Sequence, residues 1–228
     1  MTSRLKIVLT TFLVIISHSL TFAKQPIKDD EVMLGLRTGH NATFGCFAAA
    51  SIQTIQNFND FNLQAGVQYN TIGKTAVEAR PAYVKAFNWG KISAEALVAY
   101  TNLTSVNSIS AGAGVGLSGK WIGGKLGYYY RMYGTSGSRI QEPFNIYYEI
   151  YANLLPMLDS WTLQLVITNN EVFELERHYQ PTFIAQCRYD LKDSLGLSMG
   201  VGYKPSGMFH VSADYYQSFL NLGVYYRW

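Results

Sequence analysis

The sequence predicts an all-β chain folded as a transmembrane antiparallel up-and-down β-barrel of about twelve strands. Three observations carry this reading. Hydrophobic residues make up 48% of the 228 positions and charged residues only 14%, against about 25% charged in soluble domains. Yet no apolar run approaches the ~20 residues that a spanning helix needs. Apolar residues instead fall on alternate positions through segment after segment, and no segment keeps a 3.6-residue period over two turns. The segments are about 9 to 13 residues long, matching the ~9–11 of a tilted spanning strand, whereas strands of soluble sandwiches average ~5–6. So much burial-competent surface excludes intrinsic disorder. A formal charge of +3 with no Lys/Arg stripe argues against nucleic acid as a partner.

Residues 1–23 read as an export signal outside the fold. Arg4 and Lys6 form a basic start, Ile7–Ile16 a short apolar stretch, and Thr21-Phe22-Ala23 a small-residue cleavage site before Lys24. Removing Arg4 and Lys6 leaves 16 basic and 15 acidic residues in the mature chain, a charge of +1. Residues 24–228 form one barrel domain.

The strands follow in order: 31–38, 42–56, 60–71, 77–88, 91–104, 108–118, 122–133, 143–155, 160–169, 180–190, 194–204 and 208–228. Successive side chains of a strand point to opposite faces. In the third strand Phe61, Leu63, Ala65, Val67 and Tyr69 therefore share one face, and Asn62, Gln64, Gly66, Gln68 and Asn70 the other. In the fifth, Ile92, Ala94, Ala96, Val98 and Tyr100 oppose Ser93, Glu95, Leu97, Ala99 and Thr101. Leu126, Tyr128 and Tyr130 oppose Lys125, Tyr129 and Arg131. Leu163, Leu165 and Ile167 oppose Thr162, Gln164 and Thr168, and Leu197, Met199 and Val201 oppose Ser198, Gly200 and Gly202. Twelve strands among 205 mature residues leave about 17 per strand and connection. Ten result if Val32–Thr38 or the Thr71–Phe87 region does not pair.

The last segment is longer than one regular strand, and its apolar phase slips from odd (Phe209, Val211) to even (Leu220, Leu222). An extra residue near Gln217, as in a β-bulge, accounts for the slip; a tight hairpin there would invert the topology. The bulge is preferred, because it places the short turns Asn57–Asp60, Asn88–Lys91, Gly119–Trp121, Pro156–Asp159 and Asp190–Asp193 at one end. The longer connections near Thr71–Ala76, Gly134–Glu142 and Asn169–Tyr179 then share the other, external end. Aromatics such as Tyr69, Phe87, Trp89, Tyr100, Trp121, Trp161, Tyr189 and Tyr203 gather near strand ends, where amphipathic rings suit a membrane surface.

The final run Gly223-Val224-Tyr225-Tyr226-Arg227-Trp228 closes on a terminal aromatic. With the export signal, it resembles bacterial outer-membrane β-barrel proteins, and more narrowly the small outer-membrane barrels of Bacteroidetes. That resemblance implies the outer membrane as location, outer-membrane lipid as surroundings, and an assembly signal in Val224, Tyr226 and Trp228 read by the barrel-assembly machinery.

Local motifs have plainer readings than their patterns suggest. Gly114-Val115-Gly116-Leu117-Ser118-Gly119-Lys120 matches a phosphate-loop spacing, but such a loop must open a helix. A strand follows here. Gly112, Gly114 and Gly116 at period two instead thin one wall and leave lumen room for Tyr and Arg from elsewhere. Cys46 and Cys187 lie on strands far apart, in phase with outward neighbours, as small hydrophobes rather than a disulfide. His40, His178 and His210 are isolated, so neither a metal nor any other cofactor is expected. His178, beside Arg177 and two Glu, belongs to a solvated outer loop.

His210, Ser212 and Asp214 share one face of the last segment and have the residue types of a nucleophile, base and orienter. The outer-membrane phospholipase family carries a His-x-Ser on a barrel strand, so a hydrolase is the alternative function. Ala213-Asp214 departs from that family's Asn-Gly context, and phase turns the pair toward the lumen rather than lipid. The leading function is non-enzymatic. Inward phase collects Arg37, Lys125, Arg131, Arg188, Lys204 and Arg227 against Glu95, Glu149 and Asp214, with Glu78 and Arg80 adding one of each. A narrow, mildly anion-favouring channel for small solutes follows. The rival is a structural or binding barrel whose interior is filled by Tyr129, Tyr133, Tyr147, Tyr151, Tyr216 and Tyr225 and by ion pairs.

Overall fold

The computed structural model describes residues 30–41, 45–103, 106–134, 137–154, 160–171, 174–175, 181–205 and 217–228. Its strands are β1 (Glu31–Asn41), β2 (Gly45–Phe58), β3 (Phe61–Asn70), β4 (Lys74–Phe87) and β5 (Gly90–Leu103). There follow β6 (Val106–Ser118), β7 (Ile122–Gly134), β8 (Arg139–Asn153) and β9 (Trp161–Thr168). A small pair, β10 (Asn170–Glu171) and β11 (Glu174–Leu175), precedes β12 (Thr182–Lys192), β13 (Leu195–Lys204) and β14 (Gln217–Arg227). Twelve of these close an antiparallel barrel, in the order β1-β14-β13-β12-β9-β8-β7-β6-β5-β4-β3-β2, and β10 pairs only with β11. Among the described residues there is no helix.

Closure rests on an unbroken ladder between first and last strands, from Glu31 opposite Arg227 to Asn41 opposite Gln217. Asp30 and Trp228 extend it by exchanging backbone hydrogen bonds, each 3.1 Å. A closed sheet leaves no strand edge unpaired, which is what an apolar surrounding demands of β structure.

Period two becomes two faces. Leu34, Leu36, Val115, Leu117, Leu126, Met199 and Val201 point outward and are between 53% and 65% exposed. Opposite them, Arg37, Glu78, Glu95, Tyr129, Tyr147 and Lys204 are buried. All four Trp residues sit at the end that holds both termini: Trp89 and Trp121 in turns, Trp161 at the start of β9, and Trp228 after β14. Trp161 packs on Tyr189 (centroids 4.4 Å), Trp89 on Phe87 (5.6 Å) and Trp228 on Tyr226 (6.0 Å). The strand-end aromatics expected from the sequence thus form a girdle.

Connections explain the register. Asn59 bridges β2 and β3 at φ 56°, a left-handed conformation that Asn tolerates. Gly73 (φ 82°) allows a three-residue turn between β3 and β4 at the opposite end. The short connections 59–60, 88–89, 119–121 and 193–194 share the end that holds Asp30 and Trp228, as expected, whereas the connection expected to be long near Thr71–Ala76 is a three-residue turn, because β4 begins at Lys74.

Several segment boundaries differ from expectation by two or three residues, among them β1 (to Asn41, not 38), β2 (from Gly45, not 42) and β4 (from Lys74, not 77), and two further differences have a structural consequence. β8 begins at Arg139, not residue 143, and its register with β7 shifts between Tyr129 and Arg131. Pro143 sits at that irregularity; lacking an N–H, proline is tolerated at a bulge and not in a regular ladder. At the C-terminus, β14 starts at Gln217, and its pairing with both β13 and β1 runs without a register shift. The expected strand over 208–228 is therefore shorter, and residues 208–216, where the phase slip falls, lie outside the described residues.

Candidate functional site in the barrel lumen

The inward faces carry the cationic residues Arg37, Arg80, Lys125, Arg131, Arg188, Lys204 and Arg227 and the carboxylates Glu31, Glu78, Glu95, Glu142, Glu149 and Asp190, with Lys74 and Lys91 in inward phase near strand ends. Glu31, Glu142 and Asp190 are carboxylates that the inward set read from the sequence did not include. Glu31 shares parity with Arg37 and Asp190 with Arg188, so their inward placement was readable from period two. Glu142 was not readable: its even number opposes Asn145 and Tyr147, and only the irregularity at Pro143 places it opposite Arg131. Asp214, His210, Ser212 and His178 lie outside the described residues.

These charges form three groups along the lumen. At the end with the termini, Arg188 Nη2 donates to Glu31 Oε2 at 2.6 Å and Arg227 Nε to the same oxygen at 3.1 Å. Arg227 Nη1 donates to Asp190 Oδ1 at 3.0 Å, and the Tyr225 hydroxyl donates to that carboxylate too. Both guanidiniums lie over the Tyr225 ring, at 4.1 and 4.7 Å from its centroid. This network bridges β14, β1 and β12, so it also fastens the closing seam.

In the middle, Arg80 Nε donates to Glu78, and its Nη2 donates to Asn170 Oδ1 at 2.9 Å. Arg80 stands on β4 and Asn170 follows β9, nearly opposite in the strand order. Asn169 fixes the turn after β9 by accepting from Tyr148 N (2.7 Å) and donating to Ile146 O (3.0 Å). Nearby, Lys125 Nζ donates to Glu95 Oε2 (3.0 Å) and Tyr147 Oη to Glu95 Oε1 (3.1 Å). Toward the far end, Arg131 donates to Ser110, Tyr133 and Tyr129 at 3.2, 2.8 and 3.2 Å. Arg37 there stacks 3.6 Å from the Phe219 ring centroid.

The lumen is filled unevenly. On the β5–β8 side Tyr129, Tyr147, Leu97 and Ala99 pack into a core. The glycines of β6 create that space: a Cβ on Gly114 would lie 2.1 Å from Tyr147 Oη, and one on Gly112 2.6 Å from Tyr129 Cβ. On the β1–β3 and β12–β14 side a cavity of about 340 Å³ remains, lined by residues including Arg37, Ser51, Gln53, Gln64, Gln68, Arg80, Lys125, Glu149, Gln164, Asn170, Gln186, Ser198 and Asn221.

The glycine-rich phosphate-loop match lies on β6 and in the β6–β7 turn, with a strand after it. Cys46 and Cys187 are free, and no group of His, Cys, Asp or Glu fit for a metal occurs among the described residues. Val224, Tyr226 and Trp228 point outward, 42–48% exposed.

With this geometry in view, the chain shows the fold of bacterial outer-membrane β-barrels. It is similar to a KdgM porin solved in complex with disordered oligogalacturonate: TM-score 0.52, 16% identity, over 85% of this chain and 98% of that one. It is similar to the translocator domain of the autotransporter NalP from Neisseria meningitidis, with TM-score 0.56, 11% identity, and coverage of 98% and 96%. It is likewise similar to outer membrane phospholipase A from Escherichia coli, with TM-score 0.50, 7% identity, and coverage of 93% and 96%. No family model matches the sequence, and no curated protein matches it. A porin, a translocator and a phospholipase share this architecture, so function must be argued from the lumen.

Proposed function

We propose that this chain is a non-enzymatic outer-membrane barrel acting as a narrow, porin-like channel for small hydrophilic solutes. The observation that carries the reading is the closed twelve-strand barrel, apolar outside, with a polar cavity of about 340 Å³ within it. The KdgM porin with the same fold supports it. Among the described residues the inward cations outnumber the inward carboxylates, which favours anions mildly. Lumen-lining roles go to Arg37, Glu95, Lys125, Arg131, Glu149, Arg188, Lys204 and Arg227, with Asp214 added from sequence phase.

We assign the finer features from the sequence pattern. Residues 1–23 are the export signal cleaved before Lys24. Val224, Tyr226 and Trp228 are the signal to the barrel-assembly machinery, and the short-turn end faces the periplasm. The pattern resembles that of the small outer-membrane barrels of Bacteroidetes. The rival reading, a structural barrel with a filled lumen, is favoured by the packed β5–β8 side.

Planar-bilayer recording on purified, refolded protein decides between them. Discrete current steps support the channel; a silent bilayer with folded protein refutes it. The hydrolase alternative needs ester turnover that disappears in Ser212→Ala.

A further inference from the structure

The cavity on the β1–β3 and β12–β14 side differs chemically from the remainder of the lumen. Its wall is built from one registered row. Arg37 of β1 lies opposite Asn221 of β14, Asn221 opposite Gly200 of β13, Gly200 opposite Gln186 of β12, and Gln186 opposite Gln164 of β9. Gln164 in turn lies opposite Asn153 of β8. Neighbouring strands are ~4.8 Å apart, so the carboxamides stand side by side along the wall. They are joined as a chain: Gln186 Nε2 donates to Gln164 Oε1, and Gln164 Nε2 donates to Asn153 Oδ1 at 2.9 Å. Gly200 interrupts the row where the wall recedes: a Cβ there would lie 3.5 Å from Gln186 Cβ, 3.6 Å from Ala185 O and 3.9 Å from Asn221 Cβ.

Besides Arg37 Nε, two side-chain atoms in this lining are buried without a protein hydrogen-bond partner among the described residues. They are the donor Asn170 Nδ2 and the acceptor Asn221 Oδ1. Asn170 is 1% exposed. A buried amide left unsatisfied costs about 1–3 kcal/mol, so these groups call for an occupant that both accepts and donates. The lining carries Arg37, Arg80, Lys125 and Glu149, and Glu78 and Glu95 stand beside Arg80 and Lys125. Arg80 is held by Glu78 and Asn170, Lys125 by Glu95, and Arg37 by the face of Phe219. The volume falls at the small end of ligand pockets, ~300–1,000 Å³.

We infer that this cavity is a binding site for a small, uncharged, hydroxyl-rich solute of sugar or polyol type. A hydroxyl donates once and accepts twice, and a carboxamide offers two donors and one acceptor on a flat, uncharged group. A row of amides can therefore satisfy several hydroxyls at once. A charged solute would meet a lining in which Arg80 and Lys125 are already paired with Glu78 and Glu95. Stepwise exchange along equivalent amides also lets a solute be held weakly and passed on, as conduction requires. The inference deepens the channel reading and rests on it for its purpose, while the binding itself is measurable without conduction.

The test uses the full chain refolded in a zwitterionic detergent without a sugar headgroup. Saturation-transfer NMR titrations compare D-glucose with D-glucuronate and protonated D-glucosamine, in wild type, Asn221→Leu and Gln186→Leu. Glucose should bind at least about tenfold more tightly than either charged relative, and each variant should weaken it roughly three- to tenfold, the loss of one neutral hydrogen bond. Heat-modifiable gel migration confirms that each variant folds. Because Leu at either position fills space as well as removing an amide, the isosteric Asn221→Asp, which keeps shape and adds charge, must weaken glucose too. No glucose binding by folded wild type overturns the site, as does tighter glucuronate binding or variants that bind like wild type. A barrel that binds glucose yet gives no current refutes the channel and keeps the site; one that conducts without binding glucose does the reverse.

Discussion

The Arg80–Glu78 pair offers the sharpest test of how the lumen is held. Both side chains are nearly buried, at 4% and 3% exposure. Both lie on β4, two residues apart, one on each side of Ala79 and therefore on the same inward face. Arg80 also reaches across to Asn170. Removing one partner of a buried pair strands the other charge in a poorly solvated place, at a cost of about 3–5 kcal/mol. Arg80→Met should therefore lower stability by roughly 4 kcal/mol. With a denaturant slope near 2 kcal/mol per molar, the urea midpoint should fall by about 2 M.

Glu78→Gln alone should cost less, because Arg80 keeps its bond to Asn170. The double variant Glu78→Gln/Arg80→Met should be more stable than the sum of the single losses by about 2 kcal/mol or more, since no charge is left stranded. The assay is urea unfolding of refolded barrel, followed by tryptophan fluorescence; all four Trp residues lie in the girdle, well away from β4's centre. Additivity within about 0.5 kcal/mol would refute the reasoning, because it would mean that the two groups are solvated independently.

Two neighbouring residues of β6 test the two faces. Gly114→Ala places a Cβ 2.1 Å from Tyr147 Oη and 2.9 Å from Leu126 O, so it should destabilise by about 1–3 kcal/mol through overpacking. The cost should largely vanish in a Tyr147→Ala background, as a double-variant urea series would show. Val115→Arg, one position on, points outward from a site that is 61% exposed. In phospholipid vesicles it should cost about 2–4 kcal/mol, against roughly 0.5 kcal/mol or less for a water-facing site, and urea midpoints in vesicles distinguish the two.

Most of the fold was legible because one rule, alternation, governs nearly every strand. Parity alone assigns Arg37, Glu95, Lys125, Arg131 and Arg188 to the inside and Leu34, Val115 and Met199 to the outside, and burial agrees residue by residue. It fails where a single backbone irregularity changes parity, as at Pro143, and so it misses Glu142. Lys85 breaks the alternation near the end of β4. That lysine lies at the mouth of the strand, 3.8 Å from Asp60 and 56% exposed, where the alternation no longer constrains it. The cavity was the least legible feature. Its amides come from strands separated by many residues, and nothing in one strand's sequence says which residues will stand opposite.

The glycines make that point physically. Along β13, Gly196 and Gly202 are both covered: Cβ atoms there would lie 2.2 Å from Tyr225 Cζ and 2.0 Å from Phe219 Cζ. A Cβ on Gly200, on the same face between them, would meet only ordinary contacts at 3.5 Å or more. The residue type is the same in all three cases, so the difference comes from the facing strand. β14 offers Phe219, Asn221, Gly223 and Tyr225 in succession on its inward face. The two aromatics fold over the outer glycines and carry Arg37 at one end and Arg188 with Arg227 at the other. The small pair between them leaves the space that the amides line. A one-residue slip of β14 would turn its whole inward set outward. The eleven-residue ladder to β1 and the Glu31–Arg227 contact oppose that slip, so the forces that close the barrel also set the cavity's position.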